Sequence, residues 1–293
     1  MIKRCIEISE KPAYLSLRDG QMIIKHGDEI LSTVPIEDLG VLIVDNPGVT
    51  YSHGLLGALL EANVAVVVCG RNRHPAGLLL PVEGHTLQNR AAAAQAAASD
   101  SLRKRLWRQI VRAKVQHQGQ VVAEQGAEAG AFTELARQVK NGDPDNIEAQ
   151  AAQRYWPLLF TPAFRRSDES QFINSFLDYG YTVLRAAVAR AIAGAGLHPS
   201  LGLHHRNQYN AFALADDLIE PFRPFTDRAV IRLVNGQADT LDKRAKAELL
   251  SVLSVPAAIQ NRRVPLMVAL HTTAASLREC YTGERDTLEF PAP

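Results

Sequence analysis

Short alternating and short continuous apolar runs mark the first third of the chain, and apolar positions recur at helical spacing thereafter. Ala13 to Arg18 alternates, Asp19-Gly20 supplies a two-residue hairpin turn, and Met22 to Lys25 continues the pattern. Glu29 to Val34 and Gly40 to Val44 read as further strands, Ala65 to Cys69 as a buried strand, and Gly77 to Pro81 as a shorter one. A short helix fits between them, capped by Ser52 and running through Ala62, with Asn63 suited to its C-terminal end. Pro81 to Thr86 reads as a linker. Beyond it, Arg90 opens an alanine-biased helix, and Leu102, Leu106, Ile110 and Ala113 mark the buried stripe of a helix over 101–114. Thr226 to Asn235, Thr240 to Leu253 and Val264 to Tyr281 predict further helices, the last with Pro265 near its start and Gly283 after its end. The expected fold is therefore α+β: a small N-terminal β-rich domain over 1–84, then a larger all-α domain over 87–293.

Composition narrows the class. With 293 residues, 46% apolar and 22% charged, the chain has material for two domains and a real core. No apolar run approaches the roughly 20 residues that span a bilayer. The first residues, Met1 to Glu7, have no signal-peptide character, so the expected location is cytoplasmic, with no membrane partner. Cys5, Cys69 and Cys280 are widely spaced and odd in number, which fits neither a disulfide framework nor a zinc site; they are expected to be reduced and structural. A net charge of +1 argues against coating nucleic acid through bulk charge, although local basic surface can still hold a phosphate backbone.

Candidate chemistry gathers in 202–224. His204 and His205 close a glycine-punctuated turn, and Asp216, Asp217 and Glu220 follow on an expected helix. Asp217 and Glu220 are three apart, so a helix puts both carboxylates on one face. Pro221 makes that helix's last turn irregular, because a residue before proline is biased away from helix. Glu148 lies in a separate helix. Together Glu148, one histidine and Glu220 could surround a divalent metal. Each also has an ordinary reading: Glu148 follows Asp145 at capping-box spacing, either histidine can be a satisfied loop residue, and paired acids commonly form a solvated helix face. Asp45, His53, His74 and His85 stand isolated and are assigned to loops and element ends. The 101–114 helix carries six basic residues and no acid. Arg105, Arg108 and Arg112 on one of its faces could track successive phosphates or pair with acids elsewhere. Arg165-Arg166 and Arg262-Arg263 are shorter candidates. Tyr179 and Tyr181 could contact DNA or pack between helices, with Gly180 allowing a close helix crossing.

The Glu148 helix, Leu177-Asp-Tyr-Gly-Tyr181, Gly202-Leu-His-His205 and the Leu-Ala-Asp-Asp-Leu-Ile-Glu-Pro-Phe-Arg-Pro run ending at Pro224 occur in this order. The set resembles the CRISPR-associated integrase family, the first-numbered Cas protein and catalytic subunit of spacer acquisition, in its type II versions. Asp178 stands where that family usually has asparagine. The resemblance implies a β-domain that forms a homodimer contact and helps dock a small dimeric CRISPR-associated partner. It also implies a helical catalytic domain that joins DNA. In the family the ligand histidine stands third after the glycine, which selects His205 over His204. Glu148 and Glu220 map to the ligand acids, with Asp217 a supporting or alternative ligand. Two carboxylates and one imidazole suit Mn²⁺ while tolerating Mg²⁺.

The implied reaction is attack by the 3′-hydroxyl of a DNA fragment on the phosphodiester at each end of a CRISPR repeat, with no need for ATP. A stand-alone structure-selective DNase of repair would share every ligand. A non-catalytic DNA-binding scaffold would use Glu148 only as a cap and Glu220 only as a surface acid. The short tail ending Leu288 to Pro293, with no DNA-binding domain appended, favours the CRISPR role over transposon integrases.

Overall fold

The computed structural model describes residues 3–70, 75–82, 84–168, 171–205 and 207–292; His74 lies outside them. Strand β1 (Arg4–Ile8) precedes the expected hairpin, β2 (Tyr14–Arg18) and β3 (Gln21–His26), whose turn puts Asp19 and Gly20 at positive φ. Then follow β4 (Glu29–Pro35), β5 (Leu39–Val44), β6 (Thr50–Tyr51), α1 (His53–Glu61), β7 (Ala65–Cys69) and β8 (Pro75–Leu79). Ser52 caps α1 by accepting from the Leu55 amide, and Asn63 takes a left-handed φ of 53° just past the helix.

Two four-stranded sheets result. One runs β1-β5-β7-β8, with β1, β5 and β7 parallel and β8 antiparallel; the other runs β4-β3-β2-β6. Along β5 and β7 alternate side chains serve different cores. Leu42, Val44 and Val66 pack between the sheets, whereas Val41, Ile43, Ala65 and Val67 join the core of the helical part. A strand apolar at every position is what burial on both faces requires.

The helical part comprises α2 (Gln88–Ala96), α3 (Asp100–Glu124), α4 (Gly130–Gln138), α5 (Ile147–Leu159), α6 (Phe172–Gly194), α7 (Ala213–Leu218), α8 (Arg223–Asn235), α9 (Lys243–Ser251) and α10 (Leu266–Thr282). The expected 101–114 helix runs on to Glu124, because Val115, Val121 and Val122 extend its apolar stripe. The crossing of α6 over α8 uses Gly180 as expected: a Cβ there would lie 2.4 Å from Thr226 Cγ2.

The larger part is not purely helical. Strands β9 (Pro256–Ile259) and β10 (Arg262–Pro265) form a hairpin whose turn residues, Gln260 and Asn261, both have positive φ. Val264 and Pro265 therefore belong to this strand and α10 starts at Leu266. Arg262 and Arg263 lie exposed on the hairpin.

Lys246 of α9 pins the two parts together, 2.8 Å from Glu7 and 3.0 Å from Asp45, both largely buried. Asp45, expected in an isolated role, is thus a junction residue. His85 is likewise engaged, its Nδ1 accepting from the Leu87 amide and its Nε2 lying 2.9 Å from Arg278. The cysteines are free, and burial pushes the thiols of Cys69 and Cys280 up to about 11, which suits packing rather than reactivity.

Candidate active site

Glu148 and Glu220 meet at Lys114, the last of the six basic residues of the 101–114 segment. Lys114, buried on α3, puts its ammonium 2.6 Å from Glu148 Oε1 and 2.5 Å from Glu220 Oε2. Burial alone would lower the Lys114 pKa, but the Glu220 and Glu148 carboxylates raise it, so the ammonium stays charged. The signal was available: Leu106, Ile110 and Lys114 are spaced four apart on the apolar stripe.

Glu148 is not the partner in a box closed by Asp145. Asp143 caps α5 instead, accepting from the Ile147 amide at 2.9 Å and the Glu148 amide at 3.0 Å. That leaves the Glu148 side chain for Lys114. Glu220 sits where α7 has already ended, in a 3-10 turn over Glu220–Phe222, so Pro221 does break the helix. The turn is held by His117, whose Nδ1 lies 2.5 Å from the Pro221 carbonyl and Nε2 3.1 Å from that of Pro291. Glu220 is 4% exposed, which excludes a surface role. Arg223 NH2 contacts its Oε1 at 2.9 Å, while Oε2 lacks an aligned hydrogen-bond donor despite its approach to Lys114. Burial would raise the Glu220 pKa, but Lys114 and Arg223 hold it below the usual carboxylate range.

Asp217 does not share Glu220's surroundings. Fully buried, it accepts from the amides of Leu203 (2.6 Å), His204 (3.0 Å) and His205 (3.2 Å), and Oδ1 lies 2.6 Å from His205 Nδ1. These contacts shape the histidine turn. Gly202 is required there, since a Cβ would lie 2.5 Å from the His205 carbonyl and 3.0 Å from Asp217 Oδ2. With Nδ1 committed, Nε2 is the His205 nitrogen left for other chemistry. The hydrogen bond to Asp217 raises the His205 pKa against partial burial, with smaller help from Glu220 and Glu148. The turn separates the two histidines: His204 stacks on Trp107 with centroids 4.4 Å apart, while His205 meets that ring edge-on.

As the side chains lie, no group of three His, Cys, Asp and Glu among the described residues is close enough to hold a metal ion. The donors nevertheless suit one. Two carboxylates already share a single cation, one of their oxygens lacks an aligned donor, and the imidazole has one nitrogen fixed by a buried acid.

Beside these residues opens a cleft of about 820 Å³, lined by Arg166, Tyr181, Arg185, His205, Phe212 and Arg223 among others. Arg185 makes a two-pronged contact with Asp216, at 2.6 and 2.8 Å, and lies over the Phe212 ring. Arg166 pairs with Asp178, which explains how an acid is accommodated at that position. Tyr181 is buried, its hydroxyl donating to Asp227 at 2.5 Å and its ring lying under Arg223. Tyr179 packs at the junction with its ring 5.3 Å from Lys246 Nζ, away from this cleft. Arg165 ties down its own loop through the Pro162 and Phe164 carbonyls. Arg105, Arg108 and Arg112 do not form a bare track. Arg105 is 3.0 Å from Asp286, Arg108 is half-buried, and exposed Arg112 borders the C-terminal segment, whose Leu288 amide donates to Gln109.

Among the described residues no helix is long and apolar enough to cross a membrane. Residues 6–254 match the model of the family described as CRISPR associated protein Cas1. The CRISPR-associated endonuclease Cas1 of Neisseria meningitidis serogroup C is 37% identical over 274 residues, covering 92% of this chain and 90% of its own. Several solved structures share the fold. A casposase bound to integration product superposes with a TM-score of 0.81 at 20% identity, over 99% of this chain and 94% of its own. A chain of a Cas6-RT-Cas1–Cas2 complex gives 0.75 at 17% identity, over 97% of this chain and 35% of its own.

Proposed function

Because the chain belongs to the Cas1 family of CRISPR-associated proteins, we propose that it is the divalent-metal-dependent integrase of spacer acquisition. Its substrates are a short DNA fragment with free 3′-hydroxyl ends and the CRISPR repeat, and it acts in the cytoplasm. The observation that carries the reading is the convergence of Glu148 and Glu220 on one buried cation, beside an imidazole that Asp217 holds in a single orientation. Glu148, Glu220 and His205 Nε2 would hold Mg²⁺ or Mn²⁺. When bound, the ion would offset the negative charge that develops on the phosphoryl oxygens and favour the ionised form of the attacking hydroxyl.

The protein's own groups do the rest. Asp217 keeps the Nδ1 proton on His205, so that Nε2 remains an acceptor. Arg223 holds Glu220 by its other oxygen. Arg166 and Arg185 line the cleft in ion pairs with Asp178 and Asp216 and would reach a phosphate backbone by exchanging those partners. Recognition through backbone contacts and duplex deformability needs no base reading. The same centre would hydrolyse branched intermediates when water replaces the hydroxyl. We place a second copy of the chain and a small dimeric Cas2-type partner in the working assembly, a reading supported by a structural neighbour whose complex is named for Cas1 and Cas2.

The test incubates the protein and its small partner with a fragment bearing 3′-hydroxyls, a repeat-bearing plasmid and Mn²⁺. Joined half-site products that vanish in His205→Ala are expected. Cleavage without joining would move the assignment to a stand-alone DNase. Joining that survives loss of His205, Glu148 and Glu220 would refute the site.

A further inference from the structure

Lys114 is a buried ammonium that the proposed chemistry leaves without a role. It contacts both ligand acids of the site, at 2.6 Å on Glu148 and 2.5 Å on Glu220. We infer that Lys114 is a resident cation, which holds the two carboxylates together while metal is absent and must leave them for the ion to enter, thereby setting the site's metal affinity. This builds on the metal-site reading above.

Charge balance supports it. By direct ion pairs among the described residues, Glu148, Glu220, Lys114 and Arg223 form a set of two negative and two positive groups. Without Lys114, Arg223 is the ion-pair partner that remains in this set, and of the two carboxylates it reaches Glu220 and not Glu148. A divalent ion added with Lys114 in place would face a set that is already neutral, with the nearest oxygens taken. Ion and ammonium therefore compete for the same two oxygens.

Packing supports it too. Lys114 rises from the interior of α3 between Ala113 and Val115, both buried, so its anchor is fixed. Its four-carbon stem is the flexible part and can swing the ammonium away without moving the helix. Arg223 is differently placed, on Glu220 Oε1 and over the Tyr181 ring, and can keep its grip while Oε2 changes partner.

The test reads ion binding rather than turnover. Mn²⁺ is titrated into the full-length protein and free ion is followed by electron paramagnetic resonance, with Glu148→Gln defining the background. Lys114→Met should bind Mn²⁺ at least about tenfold more tightly than wild type, whereas Lys114→Arg, which restores a cation, should return toward wild type. Affinity unchanged or weaker in Lys114→Met, with wild type binding normally, overturns the lysine's role and leaves the metal reading intact. Absence of any Glu148-dependent Mn²⁺ site in wild type defeats that reading instead, and the inference with it. A second measurement needs no variant: acetylation of Lys114 in the wild-type protein, followed by mass spectrometry. Labelling should rise several-fold when Mn²⁺ saturates the site; unchanged labelling at saturation counts against displacement.

Discussion

Asp217→Asn is the sharpest probe of the histidine turn. The carboxylate is fully enclosed and faces four donors, three backbone amides at 2.6, 3.0 and 3.2 Å and His205 Nδ1 at 2.6 Å. Asparagine keeps one oxygen acceptor and turns an NH₂ toward the remaining donors, so at least one contact becomes donor against donor. Hydrogen bonds to a charged group contribute about 1.5–3 kcal/mol each, and breaking a buried charged network costs about 3–5 kcal/mol. The turn around His204 and His205 is exposed, so it can open locally and relieve that penalty before the whole molecule unfolds. The loss should therefore appear first in hydrogen exchange of the Leu203 and His205 amides. Their protection should fall by a factor of roughly 100 or more, corresponding to about 3 kcal/mol, while global stability falls less. Half-site joining should drop in parallel, because His205 loses its fixed tautomer. If amide protection at 203–205 matches wild type in Asp217→Asn, the turn is not held by this carboxylate and its assignment as the orienting acid is wrong.

Burial pushes Asp227 up to about 6, although Tyr181 and Tyr155 hydrogen bonds oppose the rise. Its folded value lies above the unfolded one of about 3.9, so its stabilisation is complete below pH 4 and lost as pH rises through 6, by about 3 kcal/mol in all. Denaturant titrations between pH 4 and 7 should show this slope in wild type and not in Asp227→Asn; parallel curves would contradict it. Gly202→Ala forces a Cβ to 2.5 Å from the His205 carbonyl and should abolish joining while leaving the far-UV spectrum of the helices intact. Lys246→Met removes the shared ion-pair partner of Glu7 and Asp45 from a largely buried junction and should lower unfolding free energy by about 3 kcal/mol in chemical denaturation.

The β2–β3 hairpin and the cap of α1 were readable because local chemistry decides them: Asp19-Gly20 demands a turn and Ser52 a helix start. Strand β1 and the two-residue β6 carry no local signal and went unexpected. The hairpin over 256–265 was not readable either, because the apolar residues of 264–270 fit a helix and the Gln260-Asn261 turn has no glycine to announce it. Glu148 and Glu220 stand out in the sequence as acids on expected helices, and only the family resemblance selects His205 over His204. The buried ammonium between the two acids does not stand out. Lys114 was read with its basic neighbours, although it occupies a core position whose partners lie 34 and 106 residues away in 293. Asp145 stands at the customary capping spacing, yet Asp143 is the cap, in a turn where both Asp143 and Asn146 take left-handed backbone that no local motif announces.

Strands β5 and β7 act as a party wall. Val66 and Val67 are neighbours on one strand yet answer to different rooms of the molecule. Cutting the polypeptide near residue 85 to obtain an isolated nuclease would strip the plaster from one side of that wall, leaving the faces that met Val41, Ile43, Ala65 and Val67 bare to water. The halves are thus a single cooperative body, and grafting one onto a foreign neighbour requires carrying the wall along.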